Sequence, residues 1–280
     1  MSALLRCDIS SVYWQGLTDG FMKLGRATRP FTSCFHDGLG HFLLKDSTFQ
    51  WDQCLDRITA ACRRDHRVVA LKTIRLRMSR ALELMRSDPS LRVLHLVRDP
   101  RGILRSRQRL GYANFSELNV EARQLCSRMS GDLDAAQSVL TEENLKRRYM
   151  LVRYEDVATA PRAMTEKFYQ FLGLETSEQG LRHASAVARS APKRRRLCVT
   201  CKPESSNSSA RSQQWRRDTL MQHVHVITSE CSDLLELLGY RVLFKDAAEL
   251  LDLRVETVVD PVLHVASSFV HNTDERDSWT

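Results

Sequence analysis

The chain of 280 residues has no run of about 18 uninterrupted apolar residues, which excludes a helical membrane span within it. Its first ten residues, MSALLRCDIS, lack the charged start and apolar middle of a secretory signal, so no targeting segment is read there. Glycine is sparse, eleven residues in all, and scattered. The one close pair, in HDGLGH (36–41), follows no convincing strand and has neither serines nor a basic residue beside it, which excludes a glycine-rich phosphate loop at that point. Cys198 and Cys201 have the spacing of half a zinc site, but no second pair of ligands is placed to complete a tetrahedron. No metal is expected. No internal repeat is evident.

Positive charge, by contrast, is plentiful. Lys and Arg number 42 against 34 Asp and Glu, a net +8 that favours an anionic partner such as a nucleotide, a sulfated glycan, a phospholipid surface or nucleic acid. Hydrophobic residues make up 42%, enough to bury a substantial core. Eight cysteines and two glycosylation sequons, Asn114-Phe115-Ser116 and Asn207-Ser208-Ser209, point to a lumenal life.

Three short β-prone runs, VVALKTI (68–74), RVLHLV (92–97) and YMLVRY (149–154), are apolar almost throughout and so predict strands covered on both faces. Helical patterns separate them. One follows Ser116, taken as its N-cap, with Leu118, Ala122, Leu125, Met129, Leu133 and Ala136 at spacings of three and four. A second starts at Pro161 and stops at Gly173; a third runs from Leu220 to Leu238 and stops at Gly239. Strands alternating with helices predict an open, mostly parallel α/β sheet whose ligand site lies beyond the carboxyl ends of the strands. Residues 189–214, basic and then serine-rich, read as a long loop, and 244–280 as a tail without assigned chemistry.

The stretch LHLVRDPRGILRSR (94–107) stands at such a strand end. Asp99 suits the N-cap of a helix beginning at Pro100, since proline fits the first helical position and a carboxylate suits the positive end of the dipole. Arg98 then projects from the strand end, where its planar fork can hold a phosphate bidentately. Gly102 and Ser106 are four apart on one helix face, so an anion over the bare glycine would meet the serine hydroxyl. The competing reading is an arginine paired with a surface carboxylate.

Strand, VRDPR, five further residues and SR resembles the 3′-phosphate-binding motif of the sulfotransferases. LVRYEDVATAPRAMTEKFYQFLGL resembles the segment that follows in the Golgi carbohydrate sulfotransferases, and SSARSQQWRRDTL with ECSDLLELLGY is similar to their C-terminal block. LLRCDIS and VVALKTIRL are similar to the branch that sulfates the 6-hydroxyl of galactose, N-acetylglucosamine or N-acetylgalactosamine. The resemblance covers residues 1–243, read as a single domain. It implies a P-loop-like α/β fold, 3′-phosphoadenosine 5′-phosphosulfate (PAPS) as donor, a glycan hydroxyl as acceptor and a place in the Golgi lumen. It implies that Arg98 and Ser106 hold the 3′-phosphate and that Arg211, Ser212, Trp215 and Arg216 form the C-terminal nucleotide contacts.

The family's membrane anchor, first strand and 5′-phosphosulfate loop have no counterpart here. The chain is therefore expected to be N-terminally incomplete. Without that loop a stabilising anion cradle is lost, worth on the order of a thousandfold in rate. A catalytically silent relative that binds nucleotide or sulfated glycan is accordingly the alternative, and a nucleic-acid-binding protein is disfavoured because no groove-reading module is present. Lys72 and Arg75 are secondary candidates at a strand end. Glu155 and Asp156 are candidates for a base whose commoner role is closing a strand-helix turn. His223 and His225, two apart on a helix, do not share a face and make poor joint ligands. No catalytic residue is assigned.

Overall fold

The computed structural model describes residues 6–8, 56–57, 59–64, 68–189 and 207–259. The sequence features at 36–41 and 198–201 lie outside them. The chain forms two compact units, residues 1–76 and 77–280.

In the first unit a disulfide joins Cys7 to Cys62, with Cα atoms 5.6 Å apart, and residues 59–64 are helical. The expected strand at 68–74 does not form: these residues enter no ladder, and Val68, Leu71 and Ile74 are exposed, Ile74 by 84%. Apolar content favours extended chain but cannot supply the neighbour whose hydrogen bonds make a strand. Lys72 and Arg75 are likewise exposed.

The second unit mixes helices with a small parallel sheet, an α/β arrangement. It begins with α1 (Met78–Ser87), β1 (Val93–Val97) and α2 (Pro100–Arg109). After a 3₁₀ turn at Phe115–Glu117 come α3 (Leu118–Leu140), α4 (Glu143–Lys146), β2 (Tyr149–Arg153), α5 (Tyr154–Thr159), α6 (Pro161–Leu172) and α7 (Glu178–Arg189). The remainder is α8 (Ser208–Gln213), α9 (Trp215–Asp218), α10 (Met221–Leu237) and α11 (Ala247–Leu251). The expected loop over 189–214 thus ends in a helix, capped where the Asn207 carboxamide oxygen accepts from Ser209 N–H at 3.1 Å.

β1 and β2 pair in parallel, in register from Val93 opposite Tyr149 to Val97 opposite Arg153. β2 is buried at every position but Met150, whereas Leu94 and Leu96 of β1 are exposed, so only β2 meets the expectation of cover on both faces. The helix expected after Ser116 starts at Leu118. Asn114, not Ser116, supplies the cap, its side-chain oxygen accepting from Ser116 N–H at 3.1 Å, and the chain makes a 3₁₀ turn before entering α3. α6 and α10 fall where the periodicity places them, and Gly173 and Gly239 beyond their ends take the left-handed conformation, φ 67° and 71°. The core lies between α3 and α10. Leu125, Leu133 and Ala136 of the first and Val224, Ile227 and Leu235 of the second are buried there, and a disulfide joins Cys126 to Cys231 across them, Cα atoms 5.5 Å apart.

Candidate functional site

The parallel register delivers two residues side by side beyond the sheet: Arg98 after β1 and Tyr154 after β2. The Arg98 guanidinium lies over the Tyr154 ring, 4.6 Å from its centroid. The next residue, Asp99, is fully buried and caps α2 by accepting from Arg101 N–H at 2.9 Å. The Asp99 cap and the proline at the first helical position are thus as the sequence predicts. α2 carries Gly102 on its first turn and half-buried Ser106 one turn later.

Gly102 is not bare. A Cβ there would meet Trp215 Cδ1 at 3.1 Å and Arg98 Nε at 3.2 Å, so the indole edge and the guanidinium already occupy the space expected for an anion. Glycine at 102 lets Arg98 and Trp215, far apart in sequence, converge on one patch of α2. Arg98 Nε is buried and has no hydrogen-bond partner among the described residues, and the same is true of Arg105 Nε about two turns further along. A buried N–H on a cation without an acceptor costs about 1–3 kcal/mol or more. An anion seated at the strand end would remove that cost.

Two other arginines that sequence reasoning could assign to an anion are committed inside the protein. Arg101 is fully buried, forks onto Asp99 at 2.8 Å, and donates to the carbonyls of Arg241 and Val242. Arg216, also fully buried, donates to the carbonyls of Glu249, Leu250, Asp252 and Val255 and to Gln213 Oε1, at 2.7–3.1 Å. Burial and the neighbouring Arg101 lower its pKa. Phe244 meets both guanidinium groups, 5.5 Å from Arg101 and 5.1 Å from Arg216, and the Trp215 ring lies 4.8 Å from Arg101. Trp215, Val224, Phe244 and Leu250 form one apolar cluster. Ser212 is buried and donates to Ser209 O at 2.7 Å, while Arg211 is exposed on α8.

Glu155 and Asp156 take the structural roles weighed as commoner. Asp156 pairs with Arg153 at 2.8 Å. Glu155 is buried, accepts from Tyr240 O–H at 2.6 Å and from Asp99 N–H at 3.4 Å, and is pushed up to about 7 by burial and the nearby Asp99 charge. The approach of Tyr240 to Glu155 and of Arg101 to the carbonyls at 241–242 was not legible, because these partners lie 85 to 141 residues apart in sequence. Among the described residues no cluster of His, Cys, Asp and Glu is arranged to hold a metal. His223 instead meets the Phe115 ring edge-on at 5.2 Å.

Residues 52–178 match a family described as the sulfotransferase family. Carbohydrate sulfotransferase 4 of Mus musculus is 31% identical over 206 residues, 67% of this chain and 52% of its own length. Carbohydrate sulfotransferase 1 of Homo sapiens is 34% identical over 202 residues, 65% and 47% of the two chains, and human carbohydrate sulfotransferase 6 is 33% identical over 210, 66% and 51%. The chain spans about half the length of the curated relatives it matches. No solved structure matches it.

Proposed function

We propose that the chain is a member of the sulfotransferase family, to which residues 52–178 match, and that it transfers the sulfuryl group of PAPS to a sugar hydroxyl of a glycan, the 6-hydroxyl of galactose or an N-acetylhexosamine being the favoured acceptor. The observation that carries this reading is Arg98, a strand-end arginine whose buried Nε has no partner among the described residues and whose guanidinium lies over the Tyr154 ring. In the proposal Arg98 and Ser106 hold the 3′-phosphate. Of the four residues read as the C-terminal nucleotide contact, Arg211 and Trp215 would meet the nucleotide, Trp215 from beside Gly102, while Ser212 and Arg216, whose polar groups are engaged within the chain, hold the segment that carries them. The proposed domain covers residues 1–243 with a P-loop-like fold, and Phe244 and Leu250 of the following segment add to the Trp215 cluster.

PAPS supplies the sulfuryl group; what the residues described here contribute is binding and orientation of its nucleotide end. We place the protein in the Golgi lumen, a setting supported by the buried Cys126–Cys231 disulfide, which persists in an oxidising compartment. Calorimetry with adenosine 3′,5′-bisphosphate against 5′-AMP tests the site. Arg98→Ala and Ser106→Ala should weaken the bisphosphate by about ten- to a hundredfold, the worth of one or two charge-assisted hydrogen bonds, and leave 5′-AMP nearly unchanged. Equal affinity of the unaltered protein for both nucleotides would dismiss the 3′-phosphate assignment. Labelled PAPS with galactose- and N-acetylglucosamine-terminated acceptors then decides between transfer and silent binding.

A further inference from the structure

Asn114 lies in the surface turn between α2 and α3 and is exposed, as is Ser116 two residues later. Its carboxamide oxygen is engaged by Ser116 N–H, but its Nδ2, the atom that a sugar would take, has no partner among the described residues. Phe115 between them is anchored edge-on against His223 of α10, so the turn is held by the body while Asn114 and Ser116 face outward. Independently, the Cys126–Cys231 disulfide, 3% and 2% exposed, ties the helix that follows this turn to α10. Such a bridge is made in the oxidising compartment where Asn-X-Ser sequons are read.

We propose that Asn114 is an N-glycosylation site. In the transfer, Nδ2 bonds to the anomeric carbon of a lipid-diphosphate-linked oligosaccharide; the bond from that carbon to the diphosphate oxygen breaks, and one amide proton is lost as the lipid diphosphate departs. The second sequon is a worse location. Asn207 lines a cavity with Ala158, Pro161, Ala188 and Ser209, and the same short helix carries Ser212 and Arg211, so a branched glycan there would crowd the proposed nucleotide contact.

The test is glycopeptide mass spectrometry of the protein isolated from the secretory pathway, with an amidase that converts a glycosylated asparagine to aspartate in heavy-oxygen water. The labelled aspartate should appear at position 114, and enzymatic deglycosylation should produce one step in gel mobility. That step should vanish in Asn114→Gln and in Ser116→Ala. The second variant keeps the backbone N–H that Asn114 accepts from, so the cap survives and a folding defect is not the explanation. Ser116→Thr should restore the step, and Asn207→Gln should leave it in place. An unmodified peptide at 114, or a glycan on Asn207 alone, would overturn the proposal, and neither outcome bears on nucleotide binding.

Discussion

Glu155 is a carboxyl placed where its charged form is unfavourable. It is buried beside Asp99, and its compensation is the Tyr240 hydroxyl, itself held protonated because burial and the neighbouring carboxylates raise its pKa. The folded pKa of about 7 stands above the ordinary 4.5. Below 4.5 both folded and unfolded chains bind the proton; between the two values only the folded chain keeps it, so stability declines as pH rises through this window and the loss is complete above about 7. At roughly 1.4 kcal/mol per pKa unit the span is on the order of 3 kcal/mol. In Glu155→Gln the amide oxygen can accept from Asp99 N–H while the NH₂ donates to the Tyr240 oxygen, so this dependence should disappear. Urea unfolding is therefore expected to give the two proteins similar stability at about pH 5 and to favour the glutamine variant at about pH 8. Parallel curves across that range would show that Glu155 does not titrate there.

Whole elements show what could be read from the chain and what could not. β1, the Asp99 turn and α2 were legible because each link is local: an apolar run, a cap two residues from the N–H it accepts, and a proline at the first helical position. The same local logic located the ends of α6 and α10 at Gly173 and Gly239. The strand read at 68–74 failed because a ladder needs a second strand, and Arg216 was read outward because nothing in WRRD reveals four carbonyls at 249–255. α11 ends short of enough intrahelical bonds, and its C-terminal carbonyls, with those of the turn after it, converge on that one guanidinium. The Arg254 guanidinium holds Asp252 at about 2 on the exposed side of the same turn, leaving its backbone carbonyl to Arg216. Arg216→Lys retains the charge but not the fork, and should cost about 1–3 kcal/mol; Arg216→Met strands the carbonyls and should cost about 3–5 kcal/mol. Equilibrium unfolding measures both, and a loss below about 0.5 kcal/mol for the methionine variant would contradict the clamp.

At the scale of the whole molecule the bridge of longest span among the described residues is the link between α3 and α10. Cys126 and Cys231 are separated by 105 residues, and the loop they close includes β2 and the helices α4 to α9. A cross-link of that span restricts the unfolded chain far more than the folded one, where both sulfurs already sit in the core. The chain-entropy account puts the effect at about 4–5 kcal/mol, and losses on removing native disulfides run to about 2–5 kcal/mol. For a unit of about 200 residues this corresponds to a fall in Tm on the order of 10 °C. The double variant Cys126→Ala/Cys231→Ala should show that fall in thermal unfolding. Reductant supplies the complementary measurement. It should lower the Tm of the unaltered protein by an amount that shrinks in the variant, because the remaining response comes from bridges such as Cys7–Cys62 in the other unit. An undiminished response to reductant would assign the redox-sensitive stability to those bridges and remove the α3–α10 link from its cause. The expected outcome makes the fold itself depend on the proposed oxidising setting: in a reducing compartment the elements that carry Arg98 and Trp215 would rest on a core without its covalent link between α3 and α10.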